Sequence, residues 1–272
     1  MKNLLALPVI VLIVLSCSNN NSTTKTTETK DSLQQLLVSF RDSIKKFPAD
    51  TLLKYEFVQT MQDAGMYKEA IAFLDSMNSI KADSTSLKAY LSYLYKRAEL
   101  LTQVGDTAKA IKTFELFVIP GELTEAGKQL ADLYAETKNP KTVAICDSMI
   151  KNDESKKDPE PDYFKGVYYF NIGYYEKSIQ QFNSSINKDY TFVDAHLEKG
   201  IVLYKQGKFK EAIEVFDLAI KVSNTFADAY LWKGKCQEAL GQKEEAKISY
   251  QRAYAFDKTL TEAKEASERI KN

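Results

Sequence analysis

Two series of glycines recur in the second half of the chain at the same constant step. One series is Gly166, Gly200 and Gly234, and the other is Gly173, Gly207 and Gly241. A fixed period of about 34 residues is the signature of a repeat architecture, in which each unit buries its apolar face only against its neighbours. We therefore expect a stack of similar units rather than a domain built around one central core.

A single unit, residues 193–226, indicates what each repeat folds into. Gly207 is expected to end a first helix, because glycine adopts the left-handed conformation that closes helices at little steric cost. Apolar residues then recur at helical spacing, which predicts a second, amphipathic helix. They are Ala212, Ile213, Phe216, Ala219 and Ile220. Gly200 lies inside the first helix, where glycine costs about 1 kcal/mol relative to alanine, so we expect close packing there.

A unit of this length with a small eighth residue, glycine at position fifteen and alanine at twenty and twenty-seven resembles the tetratricopeptide repeat (TPR). Residues 193–226 and 227–260 follow this pattern best, whereas residues 159–192 carry Ser178 and Ser185 in place of the alanines. The resemblance implies an all-α fold, a TPR-type helical-repeat superhelix (an α-solenoid) of antiparallel helix pairs. We expect this solenoid to occupy residues 31–272.

The helical periodicity divides residues 31–272 into a capping helix, six repeats and a polar carboxy-terminal cap. The segments are 31–48, 51–84, 91–124, 125–158, 159–192, 193–226, 227–260 and 261–272. The turn glycines Gly65 and Gly105 are farther apart than the later turn glycines, which predicts a longer connection around residues 80–87. The charged segment 152–160 is expected to form a loop between repeats.

The amino-terminal segment differs from the rest. Residues 4–15 form an apolar run of about a dozen residues, which is short for a transmembrane helix and typical of a signal peptide, here residues 1–16. Val14–Cys17 resembles the lipobox of bacterial lipoproteins. That resemblance implies cleavage before Cys17 and attachment of lipid to it. The alternatives are an ordinary secretory signal and a retained anchor.

Residues 18–30 contain no apolar side chain, so residues 17–30 are predicted to be a lipidated cysteine followed by a disordered tether. Ser18 follows the cysteine, and by the same resemblance this favours the outer membrane. The expected location is therefore the bacterial cell envelope, with the protein lipid-anchored to the outer membrane and facing the periplasm.

The composition argues against several classes of function. Lysine plus arginine and aspartate plus glutamate each number 37, so the chain lacks the positive charge that nucleic-acid binding requires. His196 is the only histidine and is expected to pack in the fold, as are Cys146 and Cys236, which lie in separate repeats. The sequence has no metal-ligand spacing, phosphate-binding loop or nucleophile motif. We expect no enzymatic activity, cofactor or metal.

In the TPR family the first helix of each unit lines a concave groove. Carrying the family's groove positions over to this chain gives a set of mostly aromatic and aliphatic residues. They are Tyr55, Tyr95, Tyr163, Val167, Phe170, Asn171, Leu197, Ile201, Tyr204, Lys205, Leu231 and Lys235. Charged groove positions, which include Asp194 and Asp228, flank them. Such a lining predicts a bound peptide or helical segment of another protein. The alternative is that these side chains pack between adjacent repeats.

The sequence thus favours a membrane-anchored TPR lipoprotein that acts as a protein–protein interaction scaffold or assembly factor in the bacterial cell envelope. Its partner would be a protein segment in the concave groove, with the membrane contacted through the lipid anchor and no nucleic acid involved. Two alternatives stay open. One is a subunit of an outer-membrane protein assembly complex, and the other is an envelope lipoprotein that binds a glycan or small ligand.

Overall fold

The structure, a computed structural model, describes residues 22–77, 87–117, 124–153, 155 and 157–270. Within these ranges it contains α-helices and no strand, which confirms the all-α fold class. The helices are α1 Ser22–Lys46, α2 Thr51–Asp63, α3 Tyr67–Met77, α4 Leu87–Gln103, α5 Thr107–Phe114, α6 Glu125–Glu136, α7 Lys141–Asn152, α8 Glu160–Asn171, α9 Tyr175–Lys188, α10 Val193–Lys205, α11 Phe209–Val222, α12 Ala227–Ala239, α13 Lys243–Phe256 and α14 Thr261–Arg269. None of these described helices is long and apolar enough to cross a membrane.

The chain divides into two compact units, residues 1–73 and 74–272. In the first unit, α1 packs against α2 around the buried ring of Phe57. This ring lies 5.7 Å from the ring of Phe40 and 4.9 Å from that of Phe73, measured between centroids. Asp50 caps α2, because its side chain accepts a hydrogen bond from the backbone N–H of Leu53 at 3.0 Å.

The second unit is a stack of helix pairs: α4 with α5, α6 with α7, α8 with α9, α10 with α11 and α12 with α13. The second helix of one pair packs on the first helix of the next, as α9 does on α10 and α11 on α12. The first helices also pack on one another, from α6 to α8 and from α10 to α12. This arrangement makes the first helices the inner side of the stack, while the second helices form the outer side.

The helix pairs are closed by left-handed residues at their turns. Gly173, Gly207 and Gly241 have φ of 82°, 76° and 76°, respectively, which matches the role expected of this series. The turn between α6 and α7 places Lys138, with φ 58°, where the other repeats have glycine. The amide of Lys141 then donates to the Asn139 side chain at 3.0 Å, which helps to begin α7.

The other glycine series lets the two helices of a pair approach closely. A Cβ atom at Gly200 would lie 2.3 Å from the Phe216 ring, and one at Gly166 would lie 2.5 Å from the Phe182 ring. Both phenylalanines are fully buried. The close packing expected from Gly200 is therefore confirmed, and a repeating glycine–aromatic contact holds together the pairs α8–α9, α10–α11 and α12–α13.

The structure differs from the sequence-based prediction at the amino terminus. Helix α1 begins at Ser22, so residues 22–30, expected to be part of a disordered tether, are helical. No glycine or proline occurs between Ser22 and Lys46 to end the helix, which allows it to continue beyond its apolar part. The expected signal peptide and Cys17 lie outside the described residues, as does most of the longer connection expected around residues 80–87.

Candidate functional site

The inner side of the second unit, formed by α6, α8, α10 and α12, is named here the inner face. Three residues predicted to line a groove on it are buried. Val167, Ile201 and Leu231 are only 5%, 9% and 5% exposed, respectively. They follow the apolar spacing of the first helices and pack between repeats. Their side chains therefore offer almost no surface to a partner, and their contribution is to fix the spacing of the helices.

Tyr163 lies on the inner face near the start of α8 and is half-buried. Its ring packs at 5.2–5.8 Å, between centroids, from those of Phe164, Phe182 and Phe192. Burial raises the pKa of the Tyr163 hydroxyl, and the nearby carboxylates add to this rise. The ring is thus part of the core, while its hydroxyl end lies in an acidic part of the inner face.

The remaining predicted groove residues of α8 connect neighbouring elements. Asn171 donates a hydrogen bond from Nδ2 to the Ala135 carbonyl oxygen at 3.1 Å, which joins α8 to α6. Phe170 is half-buried, with its ring 5.9 Å from that of Tyr175. Both side chains therefore support the stack and leave only part of their surface free.

The groove residues predicted from the earlier repeats, Tyr95 on α4 and Tyr55 on α2, are not part of the inner face. Tyr95 on α4 is half-buried, and its ring packs at 5.6 Å from that of Phe114 and 5.8 Å from that of Phe117. Burial, with a smaller effect of Glu99, raises the pKa of Tyr95 to about 12. Tyr55 belongs to the first compact unit and is 42% exposed.

Carboxylates dominate the middle of the inner face; Asp194 and Asp228 were predicted as groove positions, whereas Asp132, Glu136 and Glu198 were not. Four of them lie close enough to Tyr163 for their charges to raise its pKa: Asp132 and Glu136 on α6, and Asp194 and Glu198 on α10. Asp228 at the start of α12 extends this series, because its charge raises the pKa of Asp194. We name these five carboxylates the acidic stripe. Among the described residues, none of the five has a basic side chain within ion-pair distance.

The acidic stripe is electrostatically unfavourable in the free protein. Burial raises the pKa of Glu198 to about 7, with Glu136 and Asp194 adding to the rise. Burial likewise raises the pKa of Asp132 to about 6, with a contribution from Glu136. Like charges and partial desolvation both disfavour the ionised form of a carboxyl group. A positively charged group placed between these helices would relieve both effects.

The turn that closes α6 lacks a glycine, and no groove residue was predicted from this repeat. The predicted unit began at residue 125, but the left-handed residue that closes α6 is Lys138. Counted back from that turn, Asp132 and Glu136 occupy the places that Val167 and Asn171 occupy before Gly173. Aligning residue 138 with the turn glycines would have identified both carboxylates as inner-face residues.

The inner face ends in an open cleft of about 500 Å³ against α14. Its walls combine aromatic side chains with charged ones, and it contains the predicted Tyr204, Lys205 and Lys235. The Trp232 ring, which was not predicted, lies 5.4 Å from the ring of Tyr204, and the Lys235 ammonium sits 4.2 Å from the Trp232 centroid. Leu197 on α10 is half-buried and packs against the core cluster that contains Ile201 and Cys236.

The charges of this cleft largely neutralise one another. The Lys235 ammonium pairs with Glu262 of α14 at 3.0 Å, and Arg269 pairs with Glu238 at 2.8 Å. The Tyr250 hydroxyl donates to the same Glu238 carboxylate at 2.8 Å. These bonds also fix α14, which is otherwise a short polar cap. The cleft is consequently a polar and aromatic pocket without a strong charge of either sign.

The residues that could have suggested catalysis are part of the core. His196 is 1% exposed, and its Nε2 lies 3.0 Å from the Tyr190 carbonyl oxygen. Burial lowers the pKa of His196 and raises that of each free cysteine, Cys146 and Cys236, to about 12. No group of histidine, cysteine, aspartate and glutamate within the described ranges is arranged to hold a metal ion.

Comparison with known proteins agrees with this geometry. The "TPR repeat" family model matches residues 200–241, and the "Tetratricopeptide repeat" model matches residues 227–260. A search of curated protein sequences found no match.

Two solved structures share the fold. A tetratricopeptide repeat protein from Parabacteroides merdae ATCC 43184 is similar over 91% of this chain and 96% of its own, at 21% identity and a TM-score of 0.69. The APC/C hetero-tetramer Cut9–Hcn1 is similar over 88% of this chain, at 13% identity and a TM-score of 0.57. This chain spans 46% of that second structure's chain.

Repeats of this class stack into extended surfaces that bind other proteins, and they are generally non-enzymatic scaffolds. The matched repeats, the glycine–aromatic helix pairs and the shared fold support a protein–protein interaction scaffold for the present chain. Residues 200–260 therefore carry tetratricopeptide repeats, and the chain shares the fold of a tetratricopeptide-repeat protein.

Proposed function

We propose that this protein is a lipid-anchored scaffold of the bacterial cell envelope that holds a segment of a partner protein on the inner face of its second unit. The observation that carries the proposal is the acidic stripe. Five carboxylates on α6, α10 and α12 lie near Tyr163 or near one another, without a basic side chain within ion-pair distance among the described residues. Such an arrangement disfavours the ionised carboxylates of the free protein, and a cationic group bound beside them would relieve this cost.

The pre-formed shape of the inner face supports the same reading. Its helices are spaced by buried side chains and by the Asn171 bond between α8 and α6. A rigid surface of this kind loses little conformational entropy when it binds, so weak individual contacts are enough to hold a segment. The scaffold would therefore present its partner rather than change it chemically.

The membrane part of the proposal is supported by residues 1–17 alone. Their apolar run followed by Ser16 and Cys17 resembles a lipoprotein signal, and the sequence after Cys17 starts with Ser18, which favours the outer membrane. Two or more acyl chains would make attachment stable, since a single chain binds membranes only marginally. The lipid would fix the location of the scaffold, with the partner held on its periplasmic side.

The partner-binding part is tested by affinity capture with two matched variants. In one, exposed residues of the inner face are reversed in charge: Glu136→Lys, Asp194→Lys and Lys205→Glu. In the control, exposed residues of the outer helix α11 are reversed: Glu211→Lys, Glu214→Lys and Lys210→Glu. We expect a defined protein to be retained by the wild type and by the control, and lost with the inner-face variant. Equal recovery with both variants would refute the assignment to the inner face.

The anchor is tested separately with Cys17→Ser. We expect the wild-type protein to incorporate radiolabelled palmitate and to fractionate with membranes, whereas the variant should do neither. Membrane association and labelling that persist in the variant would show that the cysteine is not the attachment point. This outcome would leave the partner-binding proposal unchanged.

A further inference from the structure

We propose that the segment bound on the inner face is a basic peptide carrying an aromatic side chain, with its lysines or arginines on the acidic stripe and its aromatic ring in the cleft beside Trp232. This inference rests on the proposed function and names the chemistry of its partner. It depends on two independent features, the unpaired carboxylates and the aromatic cleft, which share helices α10 and α12.

The first feature selects the charge of the segment. The stripe runs from Asp132 and Glu136 on α6 to Asp194 and Glu198 on α10 and ends at Asp228 on α12. Among the described residues, Lys235 is the basic side chain whose charge acts on the stripe, where it lowers the pKa of Asp228. A cationic side chain is therefore the group that the stripe lacks, and an acidic segment would be repelled along its whole length.

The second feature selects an aromatic or large apolar side chain. Trp232 and Tyr204 meet edge to face at 5.4 Å, and the adjoining cleft has about 500 Å³ of space, which is in the range of small-ligand sites. A cleft bounded by aromatic rings binds a further ring through stacking and the exclusion of water. Tyr250 fixes the far wall through its bond to Glu238.

The internal ion pairs of the cleft rule out a different occupant. Lys235 and Arg269 would attract an acidic chain end if they were free, but Glu262 and Glu238 neutralise them at 3.0 Å and 2.8 Å. Lys205 is left as an exposed cation at the rim. A single lysine there is outweighed by the five carboxylates of the stripe, so the inner face as a whole attracts positive charge.

The two features lie along the same helices in a fixed order. On α10, Asp194 and Glu198 come first, and Tyr204 follows about two turns later, close to the end of the helix. On α12, Asp228 comes first, and Trp232 follows one turn later. A segment that crosses these helices can thus place its basic residues over their amino-terminal ends and its ring one to two turns further along, beside Tyr204 and Trp232.

The probe is a displayed library of random 12-residue peptides, selected at pH 8 on the full chain. Peptides that also bind the variant Asp132→Asn, Glu198→Gln are removed. We expect the retained peptides to carry a net charge of about +3 or more and at least one aromatic residue. A representative peptide should bind the wild type about tenfold more tightly than the variant, because two ion pairs are lost. Glu211→Gln, Glu214→Gln on the outer helix should bind as the wild type does.

Two further controls make the result decisive. Replacing the lysines of the peptide with glutamate should abolish binding, and Trp232→Leu, checked for folding by circular dichroism, should weaken binding by about fivefold. Retained peptides that are neutral or acidic, equal binding to the stripe variant, or no enrichment at all would overturn the inference. If the captured cellular partner is lost with the inner-face variant but binds through an acidic segment, the inference fails and the scaffold proposal stands.

Discussion

Replacing Glu198 with glutamine should stabilise the free protein. The carboxyl group is half-buried beside Glu136 and Asp194, and these surroundings raise its pKa from 4.5 to about 7. At pH 8 the group is ionised in both the folded and the unfolded chain, so folding must bear the cost of placing its charge there. Glutamine keeps the size and shape of the side chain and removes that cost.

The size of the effect follows from the pKa difference. Each tenfold change in an acid constant corresponds to about 1.4 kcal/mol, so the difference between 4.5 and about 7 sets an upper bound of about 3 kcal/mol. Because the side chain is partly exposed, solvent screening reduces this value, and we expect a gain of about 1 kcal/mol at pH 8. A raised carboxyl pKa means that stability is lost as pH rises from about 4.5 through 7.

Urea unfolding of the wild type and of Glu198→Gln at pH 8 and at pH 5 tests this reasoning. At pH 5 the folded wild type holds the proton, so the gain should shrink to about a quarter of its value at pH 8. Glu211→Gln, an exposed change on α11, should alter stability by less than about 0.5 kcal/mol at both pH values. A variant that is less stable than the wild type, or a gain that is independent of pH, would refute the account of the stripe.

Other predictions concern the helix pairs and the buried charges. Gly200→Ala should destabilise the protein by about 2–3 kcal/mol, because its Cβ would lie 2.3 Å from a buried ring. Gly207→Ala has no atom within 4 Å of its Cβ and should cost only about 1 kcal/mol, because alanine is strained in the left-handed backbone conformation there. Comparable costs for the two variants in thermal unfolding would contradict this. Lys188→Met should cost about 2 kcal/mol, since it removes the nearer of the two lysines that pair with Asp162, 4% exposed, and leaves only Lys165 at 3.5 Å. A loss below about 1 kcal/mol in urea unfolding would show that water replaces the lysine. The two buried thiols, whose pKa is raised to about 12, should resist iodoacetamide at pH 8 until the protein is unfolded, and rapid labelling of the native protein would show that they are accessible.

The fold could be predicted from the sequence because its main contacts repeat. Glycine at the turns and glycine opposite a buried ring are local requirements, and each produces a glycine at the same spacing in successive repeats. Where the turn glycine is absent, the register of the helices was predicted less accurately. The turn at Lys138 lacks the glycine, and the register of α6 was therefore read one residue late.

The candidate site could be predicted only in part. The repeat pattern identifies which positions face inward, but it does not show how deeply each side chain is covered by the next repeat. Val167 and Ile201 are buried for this reason, while Tyr204 stays half-exposed. The acidic stripe depends on the stacking of α6, α8 and α10, and residues as distant as Asp132 and Glu198 show no pattern in the sequence that would bring them together.

The most direct test of the scaffold is photo-crosslinking in living cells. A photoreactive amino acid is placed at Asp194 or Lys205 on the inner face and, in matched strains, at Glu211 or Leu218 on the outer helix α11; all four positions are exposed. We expect the inner positions to crosslink one defined partner protein and the outer positions to give none of that product. Crosslinks to the partner from the outer positions alone, with the inner positions silent, would contradict the central claim.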